Sequence, residues 1–169
     1  MPAWYRRSVL SQLPPATLGG LWAVISLYGL AHLLPTLYLG PSLLSKDGSN
    51  IFGWNASMVA AAGAIGSLQE LKPDWLMIFG WLPNPLLWFG WTLVAIARPG
   101  ELRLAGFVAG VAGALAVVGA SLWLLSGSAG DLQVGYYMWF ASMIVLALVG
   151  FLTATVVRSP SSSVADFEP

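Results

Sequence analysis

The sequence predicts an all-α integral membrane protein. It is a four-transmembrane-helix bundle, N-in and C-in, with an extra short outer-side helix, interfacial or re-entrant, between spans 1 and 2. Three observations carry that expectation. Of the 169 residues 57% are hydrophobic and only 8% charged, whereas a soluble domain carries about 25% charged residues to coat its surface. Four apolar stretches, 18–39, 75–97, 104–125 and 136–157, contain no Asp, Glu, Lys or Arg. Each reaches about 33 Å as a helix, enough to cross a hydrocarbon core of roughly 30 Å. Finally, the seven basic residues fall unevenly between loops that a four-span path puts on opposite sides.

Taken in order, the chain begins with MPAWYRRSVL before the first span, 18–39. That apolar run is too long for a signal peptide, and no A-x-A-like site ends it, so it is read as an uncleaved span. Arg6-Arg7 is a cytoplasmic charge anchor rather than a twin-arginine export signal. The outer segment 40–74 contains IFGWNASMVAAAGAIG at 51–66, whose 16 residues are short for a span and suit an interfacial or re-entrant helix. Charge decides its status. Four spans put Arg6, Arg7, Arg98, Arg103 and Arg158 inside against Lys46 and Lys72 outside. Five spans would put three inside and four outside, against the positive-inside rule. Spans 75–97 and 104–125 are joined by an inner hairpin with Pro99-Gly100, and a small-residue outer turn, 126–135, leads to span 136–157. Trp4, Tyr5, Tyr38, Trp75, Trp123, Tyr136 and Tyr137 lie near the expected interfaces, as an aromatic belt would. Residues 1–157 thus form one domain, and the Ser/Pro-rich stretch 158–169 reads as a disordered cytoplasmic tail. Unbroken apolar runs also exclude the period-two strands of a barrel.

Several function classes drop out. Seven Lys+Arg balance seven Asp+Glu, so no basic excess is available for nucleic acid. There is no cysteine, hence no disulfide and no thiolate metal site. No His/Asp/Glu cluster has metal-ligand spacing, no glycine-rich phosphate loop follows a strand, and no Ser has a base visible beside it. The expectation is therefore a protein that is not an enzyme. The absence of charge inside the spans disfavours a self-contained proton pump.

Four groups of residues could carry function. Pro83, Asn84 and Pro85 sit near the middle of the second span, where each proline removes an amide and leaves the carbonyls of Phe79 and Trp81 without their usual partners. Asn84 would suit an N-cap for a helix restarting at Pro85. This is either a broken helix that contacts a ligand, or a packed kink. Trp81, Trp88 and Trp91 share one helix face, which suits lipid, core packing or a partner surface. His32, the only histidine, lies within the first span and could ligate haem or chlorophyll, or simply bond a neighbouring helix. Gly106, Gly110 and Gly113 form a small face for close helix packing, in this chain or another.

From about 51 to 151 the chain resembles a group of small, uncharacterised bacterial four-span inner-membrane proteins. The resemblance is carried by Gly53-Trp54, by WLPNPLLW at 81–88, by the Arg98-to-Arg103 hairpin and by GYYMWFAS at 135–142. It implies the bacterial inner membrane and a four-span fold, and it brings no activity. The function expected from the whole is a non-enzymatic accessory or scaffolding protein, a subunit of a larger membrane complex of respiratory or photosynthetic type. Its partners would be the lipid bilayer and other membrane subunits. The alternatives are a small oligomeric transporter or channel for a neutral or lipid-like solute, using the broken second span, and haem or chlorophyll binding through His32. No other cofactor is expected.

Overall fold

A computed structural model describes residues 13–39, 49–98, 100–125 and 131–156. Arg6, Arg7, Lys46, Pro99, Arg158, the 126–130 part of the outer turn and the tail lie outside the described residues, as do Trp4 and Tyr5 of the aromatic belt. The elements in order are α1 (Pro15–Leu33), β1 (Pro35–Leu39), β2 (Ser49–Phe52), α2 (Gly53–Gln69), α3 (Trp75–Trp81), α4 (Pro83–Ile96), α5 (Leu102–Leu125), β3 (Asp131–Leu132) and α6 (Val134–Val156). The chain is thus mostly helical, and α1, α5 and α6 are each long and apolar enough to cross a membrane.

The expected first span is shorter than its apolar run. A residue before proline avoids the helical region, and Leu34 is extended at φ −101°, ψ 155°. The helix therefore stops at Leu33, and Pro35–Leu39 becomes a strand instead of the span's last turn. This corrects the all-α expectation: a small antiparallel sheet of order β2-β1-β3 sits at this end of the bundle. Its ladders run on into the helix ends through Gly53 N–H on Leu34 O, between the start of α2 and the cap of α1, and Gln133 N–H on Thr36 O, just before α6. Gly135 at the start of α6 lies so close that a Cβ there would sit 2.7 Å from Pro35 O.

The expected second span is two segments. Leu82 separates them but stays helical at φ −51°, ψ −35°, and Leu82 N–H still reaches Ile78 O at 2.8 Å. The restart is at Pro83, not Pro85, so Asn84 is inside α4 and not its N-cap. The physical reason is that both prolines fall in the first turn of α4, where amides have no helical partner in any case. At the opposite end of the bundle, Glu101 N–H meets Arg98 O at 2.8 Å and Arg98 N–H meets a Glu101 carboxylate oxygen at 3.2 Å, closing the hairpin into α5.

Helices α1, α4, α5 and α6 enclose the core, where Val24, Leu87, Val94, Met143 and Leu146 are fully buried. The small face of α5 packs on α6 of the same chain. A Cβ on Gly106 would lie 2.8 Å from Gly150 O, and one on Gly113 2.6 Å from Ala147 N. Such backbone approach is how helices gain packing energy where lipid offers no hydrophobic drive. The outward faces are apolar, with Trp22, Leu104, Phe107, Leu115, Leu148 and Leu152 all exposed.

Helix α2 crosses the sheet end. It starts against the backbone of Ala31 and His32 at Gly53 and passes Met77 of α3 at Gly63. It closes with Lys72 N–H on Ser67 O and Leu71 N–H on Leu68 O, with Leu71 left-handed at φ 55°. This is the paired bonding of a Schellman ending, with leucine where glycine is usual.

Candidate functional site

Beneath the sheet and α2 lies a cavity of about 230 Å³. The last turn of α1 contributes His32, β1 contributes Thr36 and Leu37, and α2 contributes Ala56, Ser57 and Ala60. Met77 and Gly80 come from α3, Asn84 from α4, and Tyr136 and Trp139 from α6. The lining is apolar except for a few hydroxyl, imidazole, indole and carboxamide groups, and none of the lining residues is Asp, Glu, Lys or Arg. Residues from five helices and two strands meet here because Pro35 ends α1 early and sends the chain into β1, leaving room under α2.

Asn84 ties the bottom of this space together. Its Oδ1 accepts from the Tyr28 hydroxyl at 3.1 Å and from Trp139 Nε1 at 2.9 Å, while its Nδ2 donates to Trp81 O at 3.3 Å. Both lone pairs of the amide oxygen are thereby used. One of the two carbonyls freed by the prolines, that of Trp81, is satisfied by Asn84 itself. The triplet thus forms a packed kink that joins α1, α4 and α6 and has one amide edge at the cavity. Pro83 is fully buried and Pro85 exposed.

His32 is held at both nitrogens. Nδ1 lies 2.9 Å from Tyr28 O, and Nε2 lies 3.2 Å from Ser57 Oγ. A carbonyl only accepts, so Nδ1 carries the proton in the neutral ring and Ser57 donates its hydroxyl proton to Nε2. Tyr28 thus positions two groups, His32 through its carbonyl and Asn84 through its hydroxyl, and its ring packs against the His32 ring at 4.3 Å.

The three tryptophans are divided. Trp91 turns inward and donates from Nε1 to Leu21 O at 3.0 Å. Trp88 is exposed and stands edge-on to Tyr28 at 5.5 Å, and Trp81 is partly buried. Gly106, Gly110 and Gly113 lie on the α5–α6 contact and take no part in the cavity.

Ser57, Tyr28 and Trp139 belong to the site and were not singled out from sequence. The spacing of Tyr28 and His32, four apart on one helix, is a visible signal for a local pair. Ser57 and Trp139 arrive from 25 and 55 residues away and carry none. Among the described residues no group of three His, Asp or Glu could hold a metal ion. No protein-family model matches the chain, and no curated protein matches it either.

Proposed function

We propose that this is an integral membrane protein of four crossings, with the sheet end outside, that binds a small, neutral, lipid-like molecule in the cavity beneath α2. The single observation that carries this is the uncharged cavity of about 230 Å³ with His32, Ser57 and Asn84 at its wall. Apolar walls favour an apolar body, and a few fixed polar groups select its functional end. At about 230 Å³ the cavity is smaller than the roughly 300–1,000 Å³ of ordinary ligand sites, so the geometry favours a small solute over a haem or chlorophyll macrocycle. Asn84 bonded on three sides favours holding the solute over an open ion path.

The counted charges support cytoplasmic termini, and the resemblance described for residues 51–151 supports a bacterial inner membrane. Helix α2 carries no charge from Gly53 to Gln69, whereas an interfacial helix presents a charged face. Its exposed row of Trp54, Met58, Ile65 and Leu68 therefore supports a re-entrant position within the apolar layer. The same row supports a second reading, in which α2 meets another subunit of a larger complex. Native-gel sizing from mild detergent, with an absorption spectrum on the band, tests that reading. A large band supports it and a lone chain opposes it.

The binding reading is tested by thermal unfolding in nanodiscs with a graded series of short neutral esters and ethers. A ligand at a hundredfold excess over its Kd adds about 2.7 kcal/mol to stability. The expected result is a saturable rise in Tm that disappears in Ala60→Leu, whose larger side chain takes up part of the space the ligand needs. A rise of equal size in that variant, or no rise for any ligand, overturns the reading.

A further inference from the structure

We propose that Ser57 and His32 are a nucleophile–base pair, and that the cavity takes the carbonyl end of a neutral acyl ester whose acyl group Ser57 accepts. This rests on the binding reading above and adds chemistry to it. The Ser57 hydroxyl is 3.2 Å from His32 Nε2, within the reach at which such pairs are found in unliganded proteins. A third group orients the base, because Nδ1 lies 2.9 Å from Tyr28 O. That bond fixes the tautomer and leaves Nε2 free to accept the serine proton. The orienting group is a neutral carbonyl instead of a carboxylate, so it supports the imidazolium less and gives a weaker base than a full triad.

The surroundings fit an ester. Ser57, His32 and Asn84 line one cavity, which gathers a hydroxyl, an imidazole and a carboxamide around one space of low polarity. The Asn84 oxygen is saturated by Tyr28 and Trp139, and one amide hydrogen is on Trp81 O. What Asn84 has left for a ligand is an N–H, the kind of side-chain donor that stabilises an oxyanion. The uncharged wall excludes an ionic substrate, and the volume suits a short acyl chain.

Ser57 Oγ forms a bond to the carbonyl carbon while its proton moves to His32 Nε2, and the carbonyl electron pair moves onto oxygen. As that oxygen re-forms the double bond, the ester C–O bond breaks. The alcohol then leaves with the proton from Nε2. Water reverses the sequence through the same nitrogen, releasing a carboxylic acid and restoring the serine.

The test uses the full chain in nanodiscs with a short-chain alkyl fluorophosphonate, read by intact mass and peptide mapping. The expected result is one adduct per chain, on Ser57. It should be absent in Ser57→Ala and about 100-fold slower in His32→Gln, a positioned base being worth at least that factor. Because His32 also ties α1 to α2, an uncleavable short dialkyl ether is tested in parallel by thermal shift. Ser57→Ala should still unfold in one cooperative transition while losing the adduct, and the wild-type chain should show the ether-induced rise in Tm. A wild-type chain that shows the ether shift but no adduct, or an adduct on another serine, refutes the nucleophile and leaves the binding reading intact. No adduct and no shift refutes both.

Discussion

Replacing Asn84 with leucine removes the node that joins three helices while keeping a side chain of similar size. Asn84 is only 8% exposed and Trp139 only 9%, so the groups left behind have little access to water. The substitution strands the Trp139 indole N–H, the Tyr28 hydroxyl and the Trp81 carbonyl, whose bonds to Asn84 are 2.9, 3.1 and 3.3 Å long. A buried group left unsatisfied costs about 1–3 kcal/mol, and interhelical bonds measured in membranes average about 0.6 kcal/mol. With three groups affected, and the tyrosine hydroxyl free to rotate, the expected loss is about 2–4 kcal/mol. Tyr28→Phe removes only one of the three bonds and should lose about 0.5–1.5 kcal/mol. The assay is reversible unfolding in mixed micelles, run as a double-mutant cycle. Because both variants break the same bond, the double variant should fall short of additivity by about 0.5 kcal/mol or more. A loss under about 0.5 kcal/mol for Asn84→Leu would refute the idea that this node holds the helices together.

Other substitutions test the packing. Leu71→Gly at the left-handed end of α2 should stabilise the protein by about 1 kcal/mol, since a non-glycine residue pays roughly that much for this conformation; thermal unfolding reads it, and a fall in Tm opposes the Schellman assignment. Gly150→Leu should prevent α5 and α6 from docking, because even a Cβ there would lie 2.6 Å from Gly110 Cα; loss of the folded fraction by size exclusion is expected, and wild-type recovery would refute the contact. Trp91→Phe removes the bond to Leu21 O and should lower stability by about 1 kcal/mol in the same unfolding assay, with no change counting against that bond.

Much of the helical framework is legible in the sequence because a membrane imposes one requirement, long uncharged runs whose backbone bonds close internally. The expected starts at 104 and 136 lie two residues from Leu102 and Val134 for that reason. Hydropathy alone does not separate helix from strand, so the apolar run 18–39 extends past the end of α1 at Leu33. Leu37 and Leu39 are as apolar as the helix before them, but Pro35 had already ended it. The break at Pro83-Asn84-Pro85 was visible, while its register was not, because the restart depends on where a proline can sit in a first helical turn. Leu71 gave no sign of a helix end, having a side chain where glycine is usual. The partners of Asn84 were hidden by distance in sequence: Tyr28 is 56 residues away and Trp139 is 55. The Ser57–His32 contact was hidden in the same way, and it became visible only when α2 folded back over the end of α1.

Native mass spectrometry of the chain released from its own membranes reads the occupancy of the cavity beneath α2. The expected spectrum is a folded monomer mass plus one small neutral molecule, retained at gentle activation in the wild type and missing in Ala60→Leu. Bare chain in both, or the same added mass in both, would contradict a binding site beneath α2.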